Sequence, residues 1–264
     1  MLQIGLMETF LLFFVVGALA QSVDGALGMA YGVISSSVLL ALGVPPAMAS
    51  ASVHGAEVFT TAASAGSHMW HRNVDWRLLL PLAVAGVIGG CLGAYVLTGV
   101  KGDVIKPFIV AYLGVMGVYI VWRAGHDIKP RRLPSWAMAP TGLIGGFLDA
   151  VGGGGWGPTV SSTLVAAGQE PRRAIGTVNT AEFFLTVAIS ATFVWALVTG
   201  HWAEAGALEN HAAAVGGLVA GGLLAAPFAG LIAKRVPRKI LTYAVGVLLL
   251  ALAAFQGLQL AGVL

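Results

Sequence analysis

Long apolar runs separated by short loops dominate this chain and leave it few folds to choose from. They cover roughly 6–23, 26–42, 46–69, 78–98, 104–122, 135–150, 154–168, 172–198, 211–233 and 238–262. Only 9% of the residues are charged and mean hydropathy is +0.88, against about 25% charged residues in a typical soluble domain. A helix needs about 20 residues to cross the hydrocarbon core. Backbone polar groups in lipid must be satisfied within a helix or a closed barrel, and runs of this length select helices. The expected fold is an all-α, polytopic membrane bundle with about 8–10 transmembrane segments. The first apolar run lacks a basic leader and is followed by others, so no signal peptide is expected.

The runs fall into two sets of five. In each set the first two are short and split, at Asp24-Gly25 and at Asp149 to Gly155. Each short pair is either two thin helices or a hairpin that enters the bilayer and returns. In both cases the loops holding Arg72 and Arg77, Arg123 to Arg132, Arg172 and Arg173, and Lys234 to Lys239 share one side. Of the 14 Lys and Arg residues only Lys101 and Lys106 lie opposite. By the positive-inside rule the basic side is cytoplasmic, which puts both termini outside. Each set then crosses an odd number of times, so the two sets must be inverted relative to one another. The expected division is a transmembrane repeat over 1–123, a short basic linker over 124–134 and a second repeat over 135–264.

The repeat is visible in the residues. Displaced by 125 positions, Asp24, Gly28, Gly32, Ser36, Ser37, Gly43, Pro46, Glu57 and Thr61 reappear as Asp149, Gly153, Gly157, Ser161, Ser162, Gly168, Pro171, Glu182 and Thr186. Within it lies a polar stripe. Ser50, His54, Glu57, Thr61, Ser64 and His68 recur at helical spacing and share one face of an otherwise apolar segment. The second copy carries Asn179, Glu182 and Thr186 on the matching face. Inverted repeats with Gly-interrupted segments at equivalent places are the mark of a secondary transporter whose site lies between the repeats at the midplane.

The site candidates follow from that placement. The run Gly152 to Gly155 cannot be favoured as helix interior. Irregular backbone at membrane depth is confined to protein-buried or water-lined places. Gly28, Gly153 and Gly154 therefore either release N–H groups toward an anion or form a tight reversal for dense packing. Ser36 and Ser161 follow the breaks and fit an anion lining, as do Thr177, His54 and Asn179; hydroxyls bonded back to their own helices are the alternative. A carboxyl at the bilayer centre costs about 2.5–3.5 kcal/mol on insertion scales, so Glu57 and Glu182 are read as functional. They carry a proton across, or they brace the opposite broken segment through its backbone N–H groups. Asp24 and Asp149 belong with them, or cap helices. His54 has Glu57 one turn away as a partner for a shared proton. The lone Cys91 excludes an internal disulfide and a cysteine metal site. There is no phosphate-binding Gly-Lys-Ser/Thr, no His-Glu-x-x-His, no partnered nucleophile and no acidic metal pair, so neither enzyme, metal nor cofactor is expected. The few cations sit in short loops and give no nucleic-acid face. What remains is a carrier of a small anion, with protons as a candidate coupling ion. An anion channel of the same fold is the rival.

These residues resemble the TauE/SafE family of membrane transporters, the sulfite and organosulfonate exporters. The likeness covers nearly the whole chain. It rests on Leu42-Gly-Val-Pro-Pro46, on Ala49-Ser-Ala-Ser-Val53 and on Asn73-Val-Asp-Trp76. In the second half it rests on Gly152-Gly-Gly-Gly-Trp-Gly-Pro158 and on Pro171-Arg-Arg-Ala-Ile-Gly-Thr-Val-Asn-Thr-Ala-Glu182. The first copy departs from the family pattern: its glycines thin to Gly25, Gly28 and Gly32, and Val33 stands where a Pro is common. The resemblance implies an inner-membrane transporter of sulfite, sulfoacetate or related sulfonates, usually outward. The residues themselves reach an anion-compatible centre without selecting sulfur; sulfate and small carboxylates fit it equally.

Overall fold

The structure is a computed structural model that describes residues 6–27, 29–126, 137–202, 212–226 and 237–263. Gly28, most of the basic linker, the 203–211 loop and Lys234 lie outside the described residues. The helices are α1 (Leu6–Leu27), α2 (Tyr31–Ala41), α3 (Pro46–Trp70), α4 (Trp76–Gly99), α5 (Gly102–Gly125), α6 (Met138–Gly152), α7 (Ser162–Ala166), α8 (Pro171–Val198), α9 (Ala212–Ala225) and α10 (Arg238–Leu260), with a π-helical turn over Gly157–Ser161 before α7. No strand occurs among the described residues. Five of these helices are long and apolar enough to cross a membrane: α1, α4, α5, α8 and α10. α3 has the length, 25 residues or about 37 Å, but its polar stripe lowers its hydropathy.

The chain is a helical membrane bundle, and its packing exchanges the two halves. α1 packs on α9 while α6, its counterpart, packs on α4. α3 packs on α9 while α8 packs on α4. α3 meets α8, and α5 meets α10. The α1–α9 and α4–α6 pairs are drawn together by glycine. A Cβ added at Gly17 would stand 2.5 Å from the Leu218 carbonyl oxygen, and one at Gly93 would stand 2.7 Å from that of Phe147. In lipid, where apolar side chains gain little by leaving the solvent, such backbone approach supplies the van der Waals contact that holds helices.

The first break lies a few residues later than the sequence suggests, and the second falls within Asp149 to Gly155 as read. α1 runs through Asp24-Gly25 to Leu27 and, with 22 residues, is long enough to cross by itself. A single glycine costs a helix about 1 kcal/mol, too little to end it. α6 ends at Gly152, with Gly153 at φ 66° as its cap and Gly154 at φ 145°. In the first half the equivalent turn passes through Ala30 at φ 110°, a conformation that suits glycine and strains a side chain. That is the cost of the thinned glycine run.

Exposed aromatic rings mark two ends. Trp70, Trp76 and Trp122 are exposed beside Arg72, Arg77 and Arg123. At the other end Tyr95 stacks on His201, centroids 4.1 Å apart, beside exposed Trp195. Amphipathic rings of this kind collect at membrane–water interfaces. Between them Leu80, Val84, Phe108, Val115 and Ile144 face outward, as a lipid-bathed surface requires.

Candidate functional site

α3 and α8 both start at a proline, which suits a first helical turn, and they turn their polar stripes toward each other. Thr61 and Thr186, in register by the repeat, meet with hydroxyls 3.4 Å apart. Beside them Glu57, Glu182 and Asp24 line one slot together with Gln21, Tyr31, Ser64 and Asn179. The slot has a volume of about 10 Å³, room for one water and too little for an oxyanion. Glu57 is 3% exposed and its Oε2 has no hydrogen-bond partner among the described residues. Its other oxygen lies against the backbone of α2: a Cβ at Gly32 would stand 2.8 Å from Glu57 Oε1. Asn179 donates from Nδ2 to Ser64 Oγ at 3.0 Å, and its Oδ1 is buried without a partner among the described residues. An unpartnered carboxylate oxygen and an unpartnered amide oxygen in one slot leave acceptors waiting for a donor.

The two breaks touch just beyond. A Cβ on Gly154 would fall 2.6 Å from Gly32 Cα, and one on Gly153 would fall 2.6 Å from Ser36 Cβ. Ser36 donates back to Val33 O at 3.4 Å, while Ser161 is buried in the π turn. The N–H groups opening the second broken segment are already taken: Asp149 Oδ1 accepts from Gly155 N at 2.7 Å and from Trp156 N at 2.9 Å. Asp24 Oδ1 receives Tyr31 N at 3.4 Å, the same contact one repeat earlier. The anion at each helix start is the chain's own carboxylate. Backbone bracing thus falls to the aspartates, each on its own segment, because a residue in the last turn before a break reaches the next helix start directly.

His54 pairs across the halves, not with Glu57 on its own helix. Its Nε2 lies 3.1 Å from Asp149 Oδ2, and both residues are essentially inaccessible. Its Nδ1 donates to Ser50 O at 2.8 Å, and Ser50 Oγ donates to Ala150 O at 2.6 Å. A carbonyl only accepts, so Nδ1 carries a proton. A hydrogen bond between Nε2 and Oδ2 then needs one further proton, on the imidazole or on the carboxyl. This chain ties α3 of one half to α6 of the other.

Thr177 stands apart from the slot. Its buried hydroxyl accepts from Asp75 N at 2.9 Å, while Asp75 caps α4 through Arg77 N at 3.0 Å. The Asn73-Val-Asp-Trp76 string is therefore the joint between the start of α8 and the α3–α4 turn. Gln21, Tyr31 and Thr60 joined the slot without a sequence signal of their own, except that Tyr31 is the register partner of Trp156. Both donate to a carbonyl of another helix, Tyr31 Oη to Leu218 O at 3.0 Å and Trp156 Nε1 to Val178 O at 3.1 Å. Among the described residues no group of three His, Cys, Asp or Glu is arranged for a metal.

A family model described as sulfite exporter TauE/SafE matches residues 13–255. The chain belongs to the TauE/SafE family. The match spans both breaks, both stripe helices and the α5–α10 pair. A curated relative from Bacillus subtilis (strain 168), described as "Probable membrane transporter protein YtnM", is 42% identical over 247 residues, which is 91% of this chain and 80% of the relative. No solved structure matches the chain. As a TauE/SafE member with five long apolar helices it is a multi-pass membrane transporter and not an enzyme.

Proposed function

We propose that this TauE/SafE protein is a secondary transporter that moves a small sulfur-containing anion (sulfite, sulfoacetate or a related sulfonate) outward across the inner membrane and uses protons as the coupled ion. The observation that carries the proposal is the meeting of Glu57 and Glu182, one from each half, in a single slot beside the contact of the two breaks. Carboxyls held together out of water favour sharing protons over ionising together. The slot is an acceptor-rich place for protons and a poor one for an anion in direct contact. Its width of a single water supports a carrier that closes around its centre over an open channel. The family's printed description is the support for a sulfur anion. The exchange of packing partners between halves supports inverted repeats that rock against each other about this centre, with both termini outside and Asp149–His54 as the tie between them.

The test is flux of radiolabelled sulfite in proteoliposomes with and without an imposed pH gradient. Gradient-dependent flux is expected in the parent protein. It should be lost in Glu57→Gln and Glu182→Gln with the folded protein retained. Wild-type gradient response in both variants removes the glutamates from coupling. Absence of sulfite flux in folded parent protein removes sulfite as the substrate.

A further inference from the structure

A second cavity, about 170 Å³, lies at the basic end of the bundle and away from the acidic slot. Its wall joins the end of α5 to α10, the start of α8 and the π turn: Arg123, Thr242, Ile175 and Ser161 line it, together with Met29 of the first break. It holds roughly five waters' worth of space. Arg123 occupies the last turn of α5 and is only partly exposed. Its Nη1 is buried and has no hydrogen-bond partner among the described residues. A guanidinium stays protonated in proteins, and a buried charged donor without an acceptor is costly. Among the described residues no carboxylate lines the cavity. The wall thus holds a cation, two hydroxyl-bearing side chains and an otherwise largely apolar surface. The planar fork of arginine matches the oxygens of a small oxyanion.

We propose that this cavity is the entry site for the transported anion on the basic face, with Arg123 as its binding residue. The proposal rests on the transport reading for its physiological meaning. The ligand class is a small oxyanion. Met29 and Ser161 place the two breaks at the inner wall of the cavity, so an anion held at Arg123 waits directly against the elements whose contact closes the centre. Attraction at Arg123 and proton exchange at Glu57 and Glu182 are then separate devices, which resolves how an acid-lined carrier handles an anion.

The test uses the full chain with Cys91→Ser and Thr242→Cys, so that the one thiol lies in the cavity wall. Its labelling by N-ethylmaleimide is followed with inorganic sulfate present or with chloride at equal ionic strength; sulfate serves as probe because sulfite attacks thiol reagents. Sulfate is expected to slow labelling and chloride to leave it unchanged. Arg123→Gln should raise the sulfate concentration giving half protection about tenfold or more, as loss of a charged hydrogen bond implies. Arg123→Lys, which keeps the charge without the fork, should fall between and stands in if the Gln variant fails to fold. Failure of sulfate to protect, equal protection by chloride, or equal protection in parent, Gln and Lys proteins overturns the site. Sulfite flux without sulfate protection leaves the transport reading standing and removes the entry site. Arg123-dependent protection without sulfite flux keeps the site and removes sulfite as the substrate.

Discussion

Asp149 does three things with one carboxyl: Oδ1 holds two backbone N–H groups and Oδ2 holds His54. Asn keeps that geometry, because its oxygen accepts from the backbone and its amide donates to His54 Nε2, but it has no carboxyl to take up a proton. Asp149→Asn is therefore expected to melt close to the parent and to lose gradient-driven flux. Asp149→Ala strands all three partners at about 1–3 kcal/mol per orphaned group and should melt far lower. Thermal unfolding in detergent separates the two; equal melting of both variants would show that Asp149 braces nothing. Ala30 supports a second expectation. Its φ of 110° strains any side chain, so Ala30→Gly should be neutral or stabilising by up to about 1 kcal/mol. Ala30→Val should destabilise, since a β-branched residue fits that region worst.

The interfaces of α4 with α6 and of α1 with α9 depend on backbone approach, and side-chain bulk is their weakness. Gly93→Leu should push α6 away from α4 and cost about 1–3 kcal/mol or more. Gly55, on α3, has open space where a Cβ would go, so Gly55→Ala should gain about 0.5–1 kcal/mol from helix propensity. Melting temperatures moving in opposite directions are the expected outcome. Similar losses in both would mean that helix propensity and not interface contact sets glycine tolerance here. Trp156 joins the second break to α8: its ring is fully buried and its Nε1 donates to Val178 O. Trp156→Phe should cost about 1 kcal/mol or more and loosen the break.

At the scale of the molecule, the proposal of two inverted halves makes a sidedness prediction. With Cys91→Ser as background, a cysteine replacing Arg72 should react with an impermeant thiol reagent only from the cytoplasmic side. One replacing Lys101 should react only from outside. Labelling of intact cells and of inverted vesicles reads this directly, and reaction of both positions from one side would overturn the topology.

The sequence by itself determined that the chain is a membrane bundle, because about 20 apolar residues in a row have no stable alternative to a spanning helix. It also determined which residues are equivalent in the two halves, since repeats survive as register: Thr61 and Thr186 do meet, and Asp24 and Asp149 make the same cap. Only the tertiary structure decided the partners. His54 bonds Asp149 rather than Glu57 because the opposite half brings an acceptor to its Nε2, a contact between residues distant along the chain that no helical spacing encodes. The first break falls after Leu27 rather than at Asp24-Gly25 because a carboxyl in the last turn stabilises the next helix start from behind. Arg123 reads in sequence as one more loop cation, and its buried, unpartnered nitrogen exists only where four separate segments close a cavity around it.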